Sequence, residues 1–200
     1  MVIVAHGYDS RAYRFNDLKG KVKVFEVDHP ATQKVKREKI KKLFGLLPDH
    51  VIYVPIDFVR EKLDKRLFEC GYDKNQKTLF IWEGVTMYIT AKAVDETLSF
   101  VATNSCKDSS IIFNYIFQSV VDGTYKGIEA KKILKSYEKR GEPLSFGIEE
   151  GTIDEFLSNR GFYQVKNVTG EYFKSAYFKG KNQNRNVCCL CGFAHATVKT

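Results

Sequence analysis

Short apolar runs alternate with longer charged, amphipathic stretches along the whole chain, and that alternation restricts the fold more than any other feature. Val2–Val4, Val22–Val27, Val51–Ile56, Thr78–Trp82 and Ser110–Ile116 are apolar enough to be strands buried on both faces. The stretches between them are long enough for helices. Strands alternating with helices imply an α/β domain with a mostly parallel sheet. Residues 162–168 and 187–198, separated by the polar loop 180–186, predict a terminal antiparallel pair.

The intervening stretches carry helix signals. Gly7–Tyr13 reads as a turn into a short helix. His29-Pro30 opens a helix, since proline suits a first turn; Val35, Ile40, Leu43 and Phe44 predict its buried stripe and Gly45 its end. Val59, Leu63 and Leu67 recur at helical spacing. Thr90 predicts a cap for a helix burying Val94, Leu98 and Val101. Thr152-x-x-Glu155 is a capping-box pattern ahead of Ile153, Phe156 and Leu157. Segment 117–150 reads as an insertion, helical over 128–139. With 200 residues and no repeat or linker, the expectation is one domain over 1–200.

Composition excludes several classes. At 44% hydrophobic the chain can bury a core, so it is not a disordered one. No apolar run approaches the roughly 20 residues of a membrane span, and Met1–Ala5 lacks a signal peptide's charged and apolar regions. The net charge of +8 is a moderate basic excess. Its densest part, Lys34–Lys42, shares a helix with apolar residues and lacks interleaved aromatics, so it reads as a solvated face and nucleic acid is not expected. Five cysteines, an odd number, argue against a secreted disulfide framework and for reduced, cytoplasmic thiols. Cys188, Cys189 and Cys191 read as small buried thiols, with Cys189 and Cys191 on one strand face. They do not supply a four-ligand zinc site, the four histidines have no ligand spacing, and no metal is expected.

The functional signal lies where the strands end. In open α/β sheets ligands bind beyond the carboxyl ends of the strands. Here these ends are a glycine turn at Gly7, then Asp28, Asp57 and Glu83. Asp28 follows Gly7 by roughly 20 residues, the spacing at which a carboxylate beyond the second strand meets a nucleoside ribose. Its rival role is a cap on the following helix. A dinucleotide site needs three glycines in its first turn, and the window 5–10 keeps only Gly7. That disfavours a nicotinamide-dependent oxidoreductase and suits S-adenosylmethionine, which has no pyrophosphate.

The blocks Gly7-Tyr-Asp-Ser-Arg-Ala-Tyr-Arg-Phe15, Val24-Phe-Glu-Val-Asp-His-Pro-Ala-Thr-Gln33 and Trp82-Glu-Gly-Val-Thr-Met-Tyr-Ile-Thr90 resemble the leucine carboxyl methyltransferase family, in particular its microbial branch of S-adenosylmethionine-dependent methyltransferases. The resemblance implies a Rossmann-like class I methyltransferase fold, a seven-stranded mostly parallel sheet with an antiparallel terminal strand. It implies S-adenosylmethionine as cofactor, held by the turn at Ala5 and Gly7, by Asp28 at the ribose, by Asp57 and Phe58 at the adenine, and by Glu83 near the methionyl arm or the reacting methyl. Tyr88 is placed near the pocket or in ordinary packing, and His6 beside the arm or packed away. The implied reaction is O-methylation of a carboxylate or hydroxyl, on a small molecule or a protein C-terminus. Family members have Gly-Ala-Gly where this chain has Ala5-His6-Gly7. They also carry a helical region ahead of the first strand, which this chain, starting at that strand, lacks. The alternative reading is therefore a truncated, non-catalytic cofactor-binding module.

Overall fold

A computed structural model of the chain describes residues 1–58 and 60–199, with the side chains of 128 and 129 left undescribed. Seven strands form one sheet: β1 (Val2–Val4), β2 (Val24–Asp28), β3 (Val51–Pro55), β4 (Leu79–Trp82), β5 (Ser110–Ile116), β6 (Phe162–Thr169) and β7 (Cys191–Val198). Their spatial order is β3-β2-β1-β4-β5-β7-β6. β1 through β5 pair in parallel, and β7 runs antiparallel between β5 and β6. The expected α/β fold, its mostly parallel sheet and its antiparallel C-terminal strand are all present.

The helices are α1 (Arg11–Arg14), α2 (Pro30–Phe44), α3 (Leu63–Glu69), α4 (Ala91–Thr103), α5 (Gln118–Val121), α6 (Ile128–Lys139), α7 (Ile153–Ser158) and α8 (Gly170–Tyr177). Alternation along each strand gives the sheet two buried faces. On one, Val2, Val4, Val27, Val54, Phe80, Trp82, Ile111 and Phe113 meet Leu67 of α3, Val94, Leu98 and Val101 of α4, and Leu157 of α7. On the other, Ile3, Val24, Val51 and Ile81 meet Ala12 and Tyr13 of α1 and Ile40 of α2. The Thr90 hydroxyl caps α4, accepting from Ala93 N–H at 3.2 Å.

Several local expectations are corrected. Of the stripe predicted on α2 only Ile40 is buried; Val35, Leu43 and Phe44 are exposed, and the inward positions are Gln33, Lys36 and Ile40. Lys36 therefore leaves the solvated run, whose other basic residues remain outside. The helix turns this way because Glu26 lies inside the second face and needs a buried base. Thr152 does not complete a capping box: its hydroxyl donates to the Glu149 carbonyl at 2.9 Å instead. β7 begins at Cys191, not at 187, so strand alternation does not govern Cys188 and Cys189; Cys188 is exposed and the other two are half-buried. α8, ahead of the polar loop, has no clear announcement in the sequence. Val59 lies outside the described residues.

The 117–150 segment returns to the body through a bridge between Phe117 and Ile148 and a bond from Ser145 N–H to the Met87 carbonyl at 2.8 Å. That places it against the turn that follows β4.

Candidate functional site

The carboxyl ends of β3, β2, β1 and β4 lie side by side, in that order, and each delivers one or two of the residues singled out above. β1 ends in the turn Ala5-His6-Gly7, β2 in Asp28, β3 in Asp57 and Phe58, and β4 in Glu83.

The turn has left-handed backbone at both Ala5 (φ 51°) and Gly7 (φ 47°). Glycine adopts this at no cost, whereas a residue with a Cβ is penalised by about 1–2 kcal/mol. A Cβ at Gly7 would meet nothing within 4 Å, so the space above that residue is open. His6 N–H between them donates to the Val27 carbonyl at 3.2 Å and anchors the turn to β2.

Asp28 locks the turn from the neighbouring strand. Its Oδ2 accepts from Gly7 N–H at 2.6 Å and its Oδ1 from His29 N–H at 2.7 Å. The α2 cap is made by the His29 ring, which accepts from Ala31 N–H at 3.2 Å. The cap reading of Asp28 thus goes to its neighbour. Each Asp28 oxygen has a further lone-pair site, since an ionised carboxylate offers about four.

A buried polar network underlies the turn; its one sign in the sequence is an acid in the middle of an apolar strand. Glu26, fully buried, accepts from Lys36 Nζ at 2.8 Å and from the Tyr13 hydroxyl at 2.8 Å, and Tyr13 is 3.0 Å from the Tyr53 hydroxyl. Gln33 Nε2 donates to the Glu26 carbonyl at 3.0 Å. Burial lowers the Lys36 pKa, although Glu26 opposes the shift. Burial, then Tyr53 and Glu26, pushes the Tyr13 hydroxyl far up, so it stays a donor. His6 is packed away from solvent with its Nδ1 2.7 Å from the Gly7 carbonyl and 3.0 Å from Lys36 Nζ. It cannot donate to the first and accept from the second at once. Its buried Nε2 finds no hydrogen-bond partner among the described residues. Desolvation lowers the His6 pKa, with Glu26 pulling the other way.

On the β4 side the strand ends border a cleft of about 300 Å³, lined among others by Ala5, Tyr8, Asp9, Arg11, Arg14 and Glu83. Arg11 spans it: Nη1 donates to Asp9 Oδ2 at 2.7 Å and Nη2 to Glu83 Oε2. Partial burial would lower the Arg11 pKa, but the bonds to Glu83 and Asp9 outweigh it and the net shift is upward. The cleft thus holds a fixed cation beside a carboxylate. Arg11 was not among the residues singled out, although it lies in the Gly7–Phe15 block.

Ala5 and Glu83 line this cleft; Gly7 and Asp28 do not, and are joined to each other by one hydrogen bond at the neighbouring strand ends. Asp57 and Phe58 follow β3, two strands from β1, and do not line it either. Asp57 N–H donates to Glu61 at 2.9 Å, its carboxylate lies 3.5 Å from Arg60, and Phe58 is 48% exposed. Tyr88 packs edge-on against Tyr137 of α6, with centroids 5.8 Å apart, and is outside the cleft lining.

Comparison with known proteins bears on the family and the fold. The family model described as leucine carboxyl methyltransferase matches residues 1–102. The chain is 27% identical, over 99% of its length, to the candidate S-adenosyl-L-methionine-dependent methyltransferase YktD of Bacillus subtilis, of which it covers 65%. It is 30% identical, over 82% of its length, to a protein similarly described from Mycolicibacterium paratuberculosis, of which it covers 54%. The chain therefore spans less than two thirds of these relatives. Among solved structures, the apo S-adenosylmethionine-dependent methyltransferase SibL superposes with a TM-score of 0.62 at 12% identity, covering all of this chain and 50% of SibL. Human N-acetylserotonin methyltransferase in complex with SAM gives 0.56 at 13%, covering all of this chain and 47% of that one. At such identities these likenesses establish the fold alone.

Proposed function

The chain belongs to the leucine carboxyl methyltransferase family, and from that premise we propose that it binds S-adenosylmethionine at the β1–β4 strand ends and transfers its methyl group to an oxygen, a carboxylate or hydroxyl, of a small molecule or protein C-terminus. The observation that carries the reading is Asp28. Its two oxygens are pinned by Gly7 N–H and His29 N–H, which fixes the carboxylate while leaving each oxygen able to accept one hydroxyl of a vicinal diol.

The remaining residues fit the cofactor by type. The open turn at Gly7 admits a ligand against the backbone. Asp57 accepts from an adenine amino group and Phe58 offers an apolar face. The methionyl arm ends in an amino acid zwitterion, and the Arg11–Glu83 pair presents the complementary charges, Arg11 for the carboxylate and Glu83 for the ammonium. When bound, the cofactor supplies a methyl on a sulfonium, whose departure leaves a neutral group. The protein's share is then to hold the acceptor oxygen in line and exclude water. A carboxylate acceptor is already ionised; a hydroxyl requires a base.

Calorimetry with S-adenosylmethionine and S-adenosylhomocysteine tests this. Asp28→Ala should weaken both by at least about tenfold, the loss of roughly 1.4 kcal/mol or more expected for hydrogen bonds to a charged group. Saturable binding that Asp28→Ala leaves unchanged, or no binding by the folded chain, refutes the reading.

A further inference from the structure

Cys188 and Cys191 stand in a C-x-x-C spacing at the entry to β7, away from the cleft. The backbone between them is held on three sides. Leu190 is 2% exposed and its carbonyl accepts from Phe117 N–H at 3.0 Å. Cys191 pairs with Ile116 as the first residue of the strand. Gly170, which opens α8, packs so close that a Cβ there would lie 2.2 Å from the Cys188 carbonyl oxygen. The third thiol is turned aside: Cys189 Sγ donates to the Val187 carbonyl at 3.5 Å. Cys188 is exposed, and the half-buried Cys191 thiol hydrogen-bonds to it. That bond first, and burial second, push the Cys191 pKa up. Of the two, Cys188 is thus the accessible thiol and Cys191 the half-buried partner in contact with it.

We propose that Cys188 and Cys191 form a reversible thiol–disulfide pair, a modification site for low-molecular-weight disulfides such as glutathione disulfide. The Cys188 thiolate attacks one sulfur of glutathione disulfide, forming a mixed disulfide and releasing one glutathione thiolate, which takes up a proton. The Cys191 sulfur, giving its proton to solvent, then attacks Cys188 Sγ. The S–S bond to glutathione breaks, the second glutathione leaves and is protonated, and Cys188–Cys191 closes. The protein loses two hydrogens and two electrons in all, and one glutathione disulfide is reduced to two thiols. The cross-link closes across the Leu190 bend, whose carbonyl holds Phe117 at the start of the 117–150 segment.

The test equilibrates the full chain with reduced and oxidised glutathione, traps free thiols by alkylation and weighs the tryptic peptide 186–199, which holds all three cysteines of the cluster. Wild type and Cys189→Ser should lose two hydrogens and two alkylation sites, and regain both on reduction. Cys191→Ser should stop at a glutathione adduct, and Cys188→Ser should gain neither adduct nor cross-link. The proposal is overturned if Cys189→Ser keeps both thiols free, or if Cys191→Ser or Cys188→Ser still loses two hydrogens, which would place the bond at Cys189. The wild-type and Cys189→Ser arms decide the matter even if another variant folds poorly.

Discussion

Replacing Lys36 by methionine isolates the Glu26 charge with little change in volume. Glu26 is fully buried and Lys36 is 2% exposed, so neither group has water to fall back on. In the variant Glu26 keeps the Tyr13 hydroxyl at 2.8 Å but loses its only described cationic hydrogen-bond partner. Breaking a buried ion pair from one side costs about 3–5 kcal/mol, because the remaining charge stays desolvated. Against a total stability of about 5–15 kcal/mol this is a large fraction. With a urea slope of about 2–3 kcal/mol/M the unfolding midpoint should fall by about 1–2.5 M. Adding Glu26→Gln removes the stranded charge and should recover at least about 2 kcal/mol. A single variant within about 1 kcal/mol of wild type, or a double variant no more stable than the single, refutes the account of this network.

The turn itself offers two further checks. Ala5→Gly relieves left-handed backbone at φ 51° at the expense of added unfolded-state entropy, for a net gain of about 0.5–1 kcal/mol and about 1–4 °C in Tm by calorimetry; a lower Tm refutes the strain. His6, its pKa held below 6.5 chiefly by burial, gives stability that is complete above pH 6.5 and lost as pH falls through that value, because the unfolded imidazole takes a proton the folded one refuses. The slope is at most about 1.4 kcal/mol per pH unit, and His6→Asn should flatten it in urea titrations; an unchanged slope removes His6 as the cause.

The strand ends were legible because a parallel sheet buries both faces, so each strand reads as an apolar run and its first polar residue marks the carboxyl edge. Asp28, Asp57 and Glu83 were found by that rule, although only Glu83 lines the cleft. The buried face of α2 was not legible. Periodicity treats lysine as an outward residue, and nothing local says that Lys36 turns in to meet Glu26 ten positions earlier. Glu26 itself was the missed signal: an acid flanked by Phe25 and Val27 needs a buried donor from some other element. Arg11 was hidden for a similar reason, since its partner Glu83 is 72 residues away. The capping-box pattern at Thr152 failed because the nearer Glu149 carbonyl took the hydroxyl.

The place of β7 has a consequence for biosynthesis. Among the described residues β6 finds a sheet partner only in β7, and β7 is also what covers the edge of β5. While a ribosome is extending the polypeptide, residues 162–169 emerge well before 191–198 and must wait without a neighbour. Through that interval the Ser110–Ile116 edge stays open to any stray segment. Translation speed over the intervening loop, and chaperones that shield nascent polypeptide, therefore bear on the yield of this protein.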